Sequence, residues 1–239
     1  MPWQLFVNNL PYLLVGPFPE GPLGGAALTL VLALTSAIVS GVLGLGLGVA
    51  LALAGPFARV PLLLAIGFFR AIPVIMLIFW TYFLLPMIFH IDVPGLATVV
   101  CALSLIGGAY LAHSVHAGIR AVGDAQWQAG LSLGFTRFDA LRYVVLPQAI
   151  RIMAPSFVNQ WVSLVKDTSL AYIVGVGELS FVATQVNNRL MIYPIPIFLF
   201  VGFLYLVLCT ALDRTAKYWL GRARRPAART GALARAAGD

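Results

Sequence analysis

Residues 24–54 read GGAALTLVLALTSAIVSGVLGLGLGVALALA, a run without one charged side chain. It is well beyond the ~18 consecutive apolar residues that mark a membrane-spanning helix. The apolar residues are continuous and do not alternate, so the run reads as a helix and not as a strand of a transmembrane barrel. The rest of the 239-residue chain has the same character: 61% hydrophobic, 10% charged, mean hydropathy +0.95. A soluble domain of that length has no interior large enough for so much apolar surface. The fold class is all-α transmembrane.

Working outward, the pattern gives five spans. They cover about residues 24–54, 60–89 with a kink near Pro73, 94–118, 152–176 and 194–220. Residues 1–23 hold Pro2, Pro11, Pro17, Pro19 and Pro22, a density that prevents a spanning helix. Trp3, Phe6, Leu10 and Tyr12 mark this segment as one lying at the outer membrane interface. Residues 221–239 form a basic tail.

The net charge of +7 does not point to nucleic acid, because seven of the fifteen basic residues fall between Arg214 and Arg235. A basic end after a last span is the signature of a cytoplasmic tail near anionic lipid. Arg59, Arg120, Arg137, Arg142 and Arg151 share that side, whereas Glu20, Asp92, Glu178 and Arg189 fall opposite. The positive-inside rule then predicts an outer N-terminus, an inner C-terminus and a cytoplasmic loop at 120–151. Glu178 is expected at the outer face, either solvated or touching a partner there. Cys101 and Cys209 are expected as small buried hydrophobes. Gly41, Gly44 and Gly48 share one face of the first span, and Gly44-x3-Gly48 is a close-packing motif; a dimer seam and packing within one subunit both fit it.

The longest polar gap holds Gln128-Ala129-Gly130-Leu131-Ser132-Leu133-Gly134, followed by Val144-Val145-Leu146-Pro147. Residues 124–134 are predicted to form a short helix, capped by Asp124 and ended by Gly134 in a left-handed conformation. Ala129 and Gly130 leave room for a partner's side chains. Phe135 and Phe138 offer apolar anchors, and Pro147 closes the segment before the next span.

These residues carry a resemblance. The chain is similar to the membrane permease subunit of bacterial ABC importers, whose motif is Glu-Ala-Ala, three residues, Gly, nine residues, Ile, one residue, Leu-Pro. Gln128, Ala129, Gly130, Gly134, Val144, Leu146 and Pro147 stand at those spacings, with Gln128 in place of Glu and Gly130 in place of the second Ala. Phe69-Arg70-Ala71-Ile72-Pro73, Leu146-Pro147-Gln148-Ala149-Ile150-Arg151, Asn159-Gln160 and Lys166-Asp167-Thr168-Ser169-Leu170 narrow it to the polar amino acid importers. The segment Arg70–Met76 resembles the glutamate/aspartate branch most; a basic or glutamine-like substrate is the alternative.

The resemblance implies a division of labour. A second permease subunit, identical or paralogous, completes the path. A dimer of ABC ATPase subunits docks on Gln128, Ala129, Gly130, Gly134, Phe135, Leu146 and Pro147. A separate binding protein delivers the amino acid from outside, and the lipid bilayer surrounds the spans. ATP and Mg belong to the ATPase. The chain agrees on this point, for neither Lys166 nor Lys217 sits in a Gly-x4-Gly-Lys-Ser/Thr loop. No cofactor and no catalytic residue is expected here.

Charges at membrane depth cost ~2.5–3.5 kcal/mol each on insertion scales. Lys166 and Asp167, adjacent on a helix, point about 100° apart and do not face each other. Partners on other spans, or an interruption of the helix eased by Thr168 and Ser169, would accommodate them. Arg70, Asn159, Gln160, Lys166, Asp167, Thr168 and Ser169 are candidates for the substrate path, with a structural ion-pair network as the alternative; Arg70 either snorkels to lipid headgroups or pairs with an acidic group such as Asp167. His113 and His116 lie on one face of the third span. They stand where the family commonly has Glu and Arg, and they serve either as a helix contact or as pocket lining; two histidines alone do not make a metal site. A self-contained secondary transporter is disfavoured by the lack of an internal repeat. The sequence carries no His-Glu-x-x-His motif for an intramembrane protease.

Overall fold

A computed structural model describes residues 2–190 and 194–236, with side chains for 9–190 and 194–222. The side chains of Trp3 and Phe6 lie outside the described residues. Helix α1 is Pro2–Val15, α2 is Gly25–Leu53, α3 is Pro56–Ala71 and α4 is Val74–Phe79. A π-helical turn, Trp80–Leu84, joins α4 to α5, Leu85–Phe89. Then come α6 (Gly95–Ala121), α7 (Asp124–Ser132) and α8 (Arg137–Asp139). A second π-turn, Ala140–Val145, leads into α9, Leu146–Asp167, which tightens into a 3-10 turn at Thr168–Val174. Helices α10 (Leu179–Leu190) and α11 (Pro194–Ala236) complete the chain.

Helix α2 shows why this sequence suits lipid. Its inward stripe is Thr29, Leu32, Ser36, Ser40, Gly44, Gly48 and Leu51, at helical spacing and mostly small. Its outward face carries Leu34, Ile38 and Val42, 63%, 59% and 68% exposed. Large apolar residues outside and small residues inside is the reverse of a soluble helix. In lipid the helices gain nothing by hiding leucine from the solvent, so close backbone approach and dispersion contact hold them together.

The closest approach is α2 against α6. A Cβ on Gly44 would overlap the Leu111 side chain, and one on Gly48 would lie 2.5 Å from Val115 Cβ. From the other side, a Cβ on Gly108 would sit 3.0 Å from Leu43 Cβ. The Gly44-x3-Gly48 motif is thus spent on packing within the subunit. The core continues through Leu32, Ile78, Leu103, Ile106 and Leu164, which join α2, α4, α6 and α9.

Among the described residues, three helices are long and apolar enough to cross a membrane: Gly25–Leu53, Gly95–Ala121 and Pro194–Arg222. The expected second span is broken, since Pro56–Ala71 and Val74–Phe89 meet at 100°. Pro73 lacks an N–H to continue α3, and the residue before a proline is driven to extended backbone; Ile72 has φ −77° and ψ 133°. The expected fourth span differs more. Its helix starts at Arg137 and runs unbroken through Pro147 to Asp167. Helix α9 is long enough to span, and its polar residues keep it off the set of apolar candidates.

Both π-turns directly precede a Leu-Pro pair, Leu85-Pro86 and Leu146-Pro147. A proline ring collides with the carbonyl four residues back in a regular helix. The wider turn relieves it: Leu85 and Leu146 donate five residues back, to the carbonyls of Trp80 and Leu141. Pro147 does not end the helix.

Two smaller expectations change. Cys101 is exposed, because α6 buries Thr98, Val99, Ala102 and Leu103 and turns Cys101 to the opposite face. Tyr12 packs inward: its hydroxyl donates to Gln185 Oε1 at 2.6 Å, and the Arg189 guanidinium covers its ring at 5.1 Å.

Gly44→Leu is expected to overpack the α2–α6 contact, at about 1–3 kcal/mol or more. Gly46, with no neighbour within 4 Å of a built Cβ, should accept Leu with little change. Thermal melting of the two purified variants in detergent checks this; equal melting temperatures would remove the close contact from the account.

Candidate functional site

The loop between α6 and α9 is built from backbone geometry outward. Gly123, with φ 85°, sets the start of α7. Asp124 is already inside the first turn and makes no capping bond, contrary to the sequence expectation. Its charge still lies near the positive end of the helix. The other end matches expectation. Gly134 has φ 85°, its N–H donates to Leu131 O at 3.0 Å, and the Phe135 N–H donates to Gly130 O at 3.2 Å. Those two bonds are a Schellman cap, which satisfies carbonyls that the helix end leaves free.

Helix α7 has two unlike faces. Trp127 packs against the buried cluster of Val115, Ile119, Leu141, Val145, Ala149 and Met153. Gly130 is buried, and a Cβ there would sit 3.0 Å from Ala140 Cβ. Gly130 therefore makes room for the chain's own π-turn, not for a partner. Gln148 Nε2 adds bonds to Gln126 Oε1 at 3.2 Å and Val144 O at 2.8 Å. The opposite face presents Gln128 and Ala129 to the surroundings. Beyond it Leu131, Leu133, Phe135 and Phe138 are 42%, 76%, 39% and 54% exposed. Of the motif's second half, Pro147 is exposed and Leu146 is half-buried.

Gly130-Leu131-Ser132-Leu133-Gly134 also has Gly-x-Ser-x-Gly spacing, but Ser132 ends a helix, whereas a hydrolase nucleophile needs a strand-to-helix turn.

The candidate path residues are more dispersed. Helix α9 ends at Asp167, and the chain tightens to 3-10 geometry at Thr168. Thr168 is fully buried and its hydroxyl donates to Val165 O at 2.7 Å. Of the two ways to accommodate Lys166 and Asp167, the interruption is the one found. Lys166 is exposed; Asp167 and Ser169 are half-buried. Asn159 and Gln160 sit seven residues before them, hence on matching faces of α9, with Asn159 exposed. Arg70 does not reach Asp167. Its guanidinium stacks on the Tyr110 ring of α6 at 5.2 Å, a cation–π contact and not the ion pair offered as one alternative. His113 is exposed one turn beyond Tyr110. His116 is half-buried and lines a cavity together with Gln128.

The sequence leads to an expectation of Glu178 at the outer face, solvated or touching a partner. Glu178 is instead 0% exposed. Its Oε2 accepts from Ser180 N and the Tyr205 hydroxyl, both at 2.8 Å, and its Oε1 accepts from Phe181 N at 2.9 Å. Beside it, Leu179 N donates to Thr29 Oγ1 at 3.1 Å, and Gly25 N to Gly177 O at 2.9 Å. Glu178 caps α10 and ties it to α2 and α11. The pattern Glu178-Leu179-Ser180 before a helix was the available signal, since an acidic side chain is a natural N-cap. Burial pushes the carboxyl up to about 7, against the pull of its three donors.

Against this geometry stand the comparisons with known proteins. The family model described as "Binding-protein-dependent transport system inner membrane component" matches residues 42–225. The chain belongs to that family. Among curated relatives of this transport component, the glutamate/aspartate import permease protein GltK of Escherichia coli O6:H1 is 30% identical over 226 residues, 90% of this chain and 95% of the relative. The glutamine transport system permease protein GlnP of Escherichia coli K12 is 34% identical over 157 residues, 65% and 72% of the two chains. The solved amino acid ABC transporter with histidines aligns with TM-score 0.75 at 22% identity, over 92% of this chain and 95% of that one. The inward-facing MetNI methionine ABC transporter gives TM-score 0.72 at 21% identity, over 81% and 92%. The family resemblance read from the sequence, to permeases of polar amino acid ABC importers, holds, and the helical permease fold with it.

The Glu178 carboxyl sets a pH dependence of stability. Its pKa is raised in the folded state, so the folded protein binds the extra proton between about 4.5 and about 7. Stability is then full below that window and falls as pH rises through it, by about 3 kcal/mol at most. Melting temperature between pH 5 and pH 8 should decline for the wild type and flatten for Glu178→Gln. Parallel curves for the two proteins would sink the assignment.

Proposed function

We propose that this chain is the transmembrane subunit of an ATP-driven amino acid importer of the bacterial inner membrane. With a second permease subunit it forms the path, its N-terminus outside and its C-terminus in the cytoplasm. An extracytoplasmic binding protein supplies the amino acid. ATP and Mg act on a separate ATPase dimer that grips the loop between Asp124 and Pro147. The observation that carries this reading is the two-faced α7. One side is fixed to the bundle by Trp127 and Gly130, and the other ends in an apolar patch from Leu131 to Phe138. A patch so placed is a handle: force on the exposed side passes to α6 and α9 through packed contacts, which move as bodies.

An acidic amino acid is the favoured cargo. The glutamate/aspartate permease relative aligns with 90% of the chain, against 65% for the Escherichia coli K12 glutamine permease. Glutamine is the second reading, supported by the 32% identity of a probable glutamine permease from Bacillus subtilis over 81% of the chain. A binding-protein-dependent ATPase assay on the reconstituted complex, run with glutamate, aspartate, glutamine and arginine, decides between them. Stimulation by glutamate and aspartate supports the first reading, and stimulation by glutamine alone replaces it.

Two variants test the lever and the path. Gly134→Val forces a β-branched residue to positive φ, which costs about 1–2 kcal/mol or more and distorts the cap. Uptake into vesicles is expected to collapse while the protein still inserts and the ATPase still turns over; unimpaired uptake would remove the docking role. Asp167→Asn is expected to slow uptake about tenfold or more, equivalent to losing one interaction of about 1.4 kcal/mol. Normal kinetics in that variant would leave Asp167 a structural role only.

A further inference from the structure

A cavity of ≈ 450 Å³ opens where the C-terminal ends of α2 and α6 meet α7. Its charged lining is Arg120 from α6, Asp124 from the first turn of α7, and Arg137 from α8. His116, Trp127 and Gln128 complete the polar and aromatic part of the wall. The cavity lies between the bundle and the lever, and the proposed transport route ends on this side of the membrane.

Within this chain the charges of the cavity wall have no ion-pair partner among the described residues. The ion pair found among the described residues joins Lys217 and Asp213, elsewhere in the chain. Arg120, Asp124 and Arg137 are all exposed and belong to no such pair. His116 adds a buried Nδ1 with no hydrogen-bond partner. Two guanidinium groups and one carboxylate on one cavity wall form a pattern with a specific complement. An acidic α-amino acid carries two carboxylates and one ammonium. Each carboxylate matches one planar guanidinium fork, and the ammonium matches Asp124. The flat Trp127 ring offers apolar surface to the methylene chain between them. Glutamine, with a single carboxylate, leaves one guanidinium unmatched; arginine brings a second cation to a site that already holds two.

We propose that this cavity is a cytoplasmic-side binding site for an acidic α-amino acid, held by Arg120, Arg137 and Asp124. The assignment rests on the acidic-cargo reading above only for its physiological ligand. The charge complement itself belongs to the cavity. The three groups come from a span, the lever helix and the helix that follows, so an occupant held by all three would link those elements.

The test is equilibrium binding of radiolabelled L-glutamate to the full permease–ATPase complex in lipid nanodiscs, without the binding protein. Glutamate should bind, and L-glutamine should compete at least about tenfold more weakly. Arg120→Gln and Arg137→Gln should each raise the Kd about tenfold or more, and Arg137→Lys by less, which guards against a folding defect. Asp124→Asn should weaken L-glutamate but leave N-acetyl-L-glutamate, which lacks the ammonium, unchanged. Glutamate affinity equal in the wild type and both glutamine variants overturns the site, as does an absence of binding or equal affinity for glutamate and glutamine. The ATPase panel keeps the two claims apart. Cargo other than acidic amino acids there, with glutamate still lost from Arg137→Gln here, refutes the cargo reading and upholds the cavity. The opposite pair of results refutes the cavity alone.

Discussion

The structure depends on how closely α2 and α6 approach. In lipid no solvent drives leucines together, so two helices stay paired only if their backbones come near enough for dispersion contact along their whole length. Gly44 and Gly48 permit that approach, and Leu111 and Val115 occupy the space that side chains there would have filled. Every other element is placed relative to this pair. The broken α3–α4 unit lies on it through Ile66 and Ile78, and α9 through Leu164. The loop helix hangs from the far end of α6, through Trp127 against the cluster that holds Ile119.

Much of this was legible in the sequence. The first and third spans agree with α2 and α6 to within a few residues, because a long apolar run without charge has one physical meaning. The left-handed Gly134 and the interruption after Asp167 were also foreseeable from single residues, since each concerns backbone conformation that local chemistry fixes. The errors share a cause. Gly130 was read as room for a partner and proved to be room for Ala140; Glu178 was read as an outer-face residue, solvated or touching a partner, and proved to be buried and bonded to Tyr205. Arg70 was offered Asp167 and took Tyr110. In each case the residue type was informative, but the neighbour came from a distant part of the chain, which periodicity does not encode. The polar α9 failed differently: with Asn159, Gln160, Lys166 and Asp167 on it, apolarity is a poor gauge of whether a helix belongs to the bundle.

The two ends of the bundle are held by different means. At the proposed outer end a single buried carboxyl gathers three donors and joins α10 to α11, with Thr29 of α2 bonding alongside. Such a cluster is strong while complete and costly when one member is lost, since buried polar groups left without partners retain their full desolvation penalty. At the other end the loop is held by apolar packing around Trp127, by the caps at Gly134 and Thr136 and by the Gln148–Gln126 bond, and its charges stay exposed. One end is suited to staying put and the other to being moved.

The π-turn ahead of Leu146 carries a consequence for the geometry of that movement. A π-turn holds about one residue more than the α-turn it replaces, and one residue is about 100° of helical rotation. Helix α9 is therefore out of phase with α8, although the two form one continuous rod. Sliding the extra residue along the rod would swing Asn159 and Lys166 to a new bearing without breaking the helix, much as moving a wrinkle along a carpet shifts the pattern beyond it.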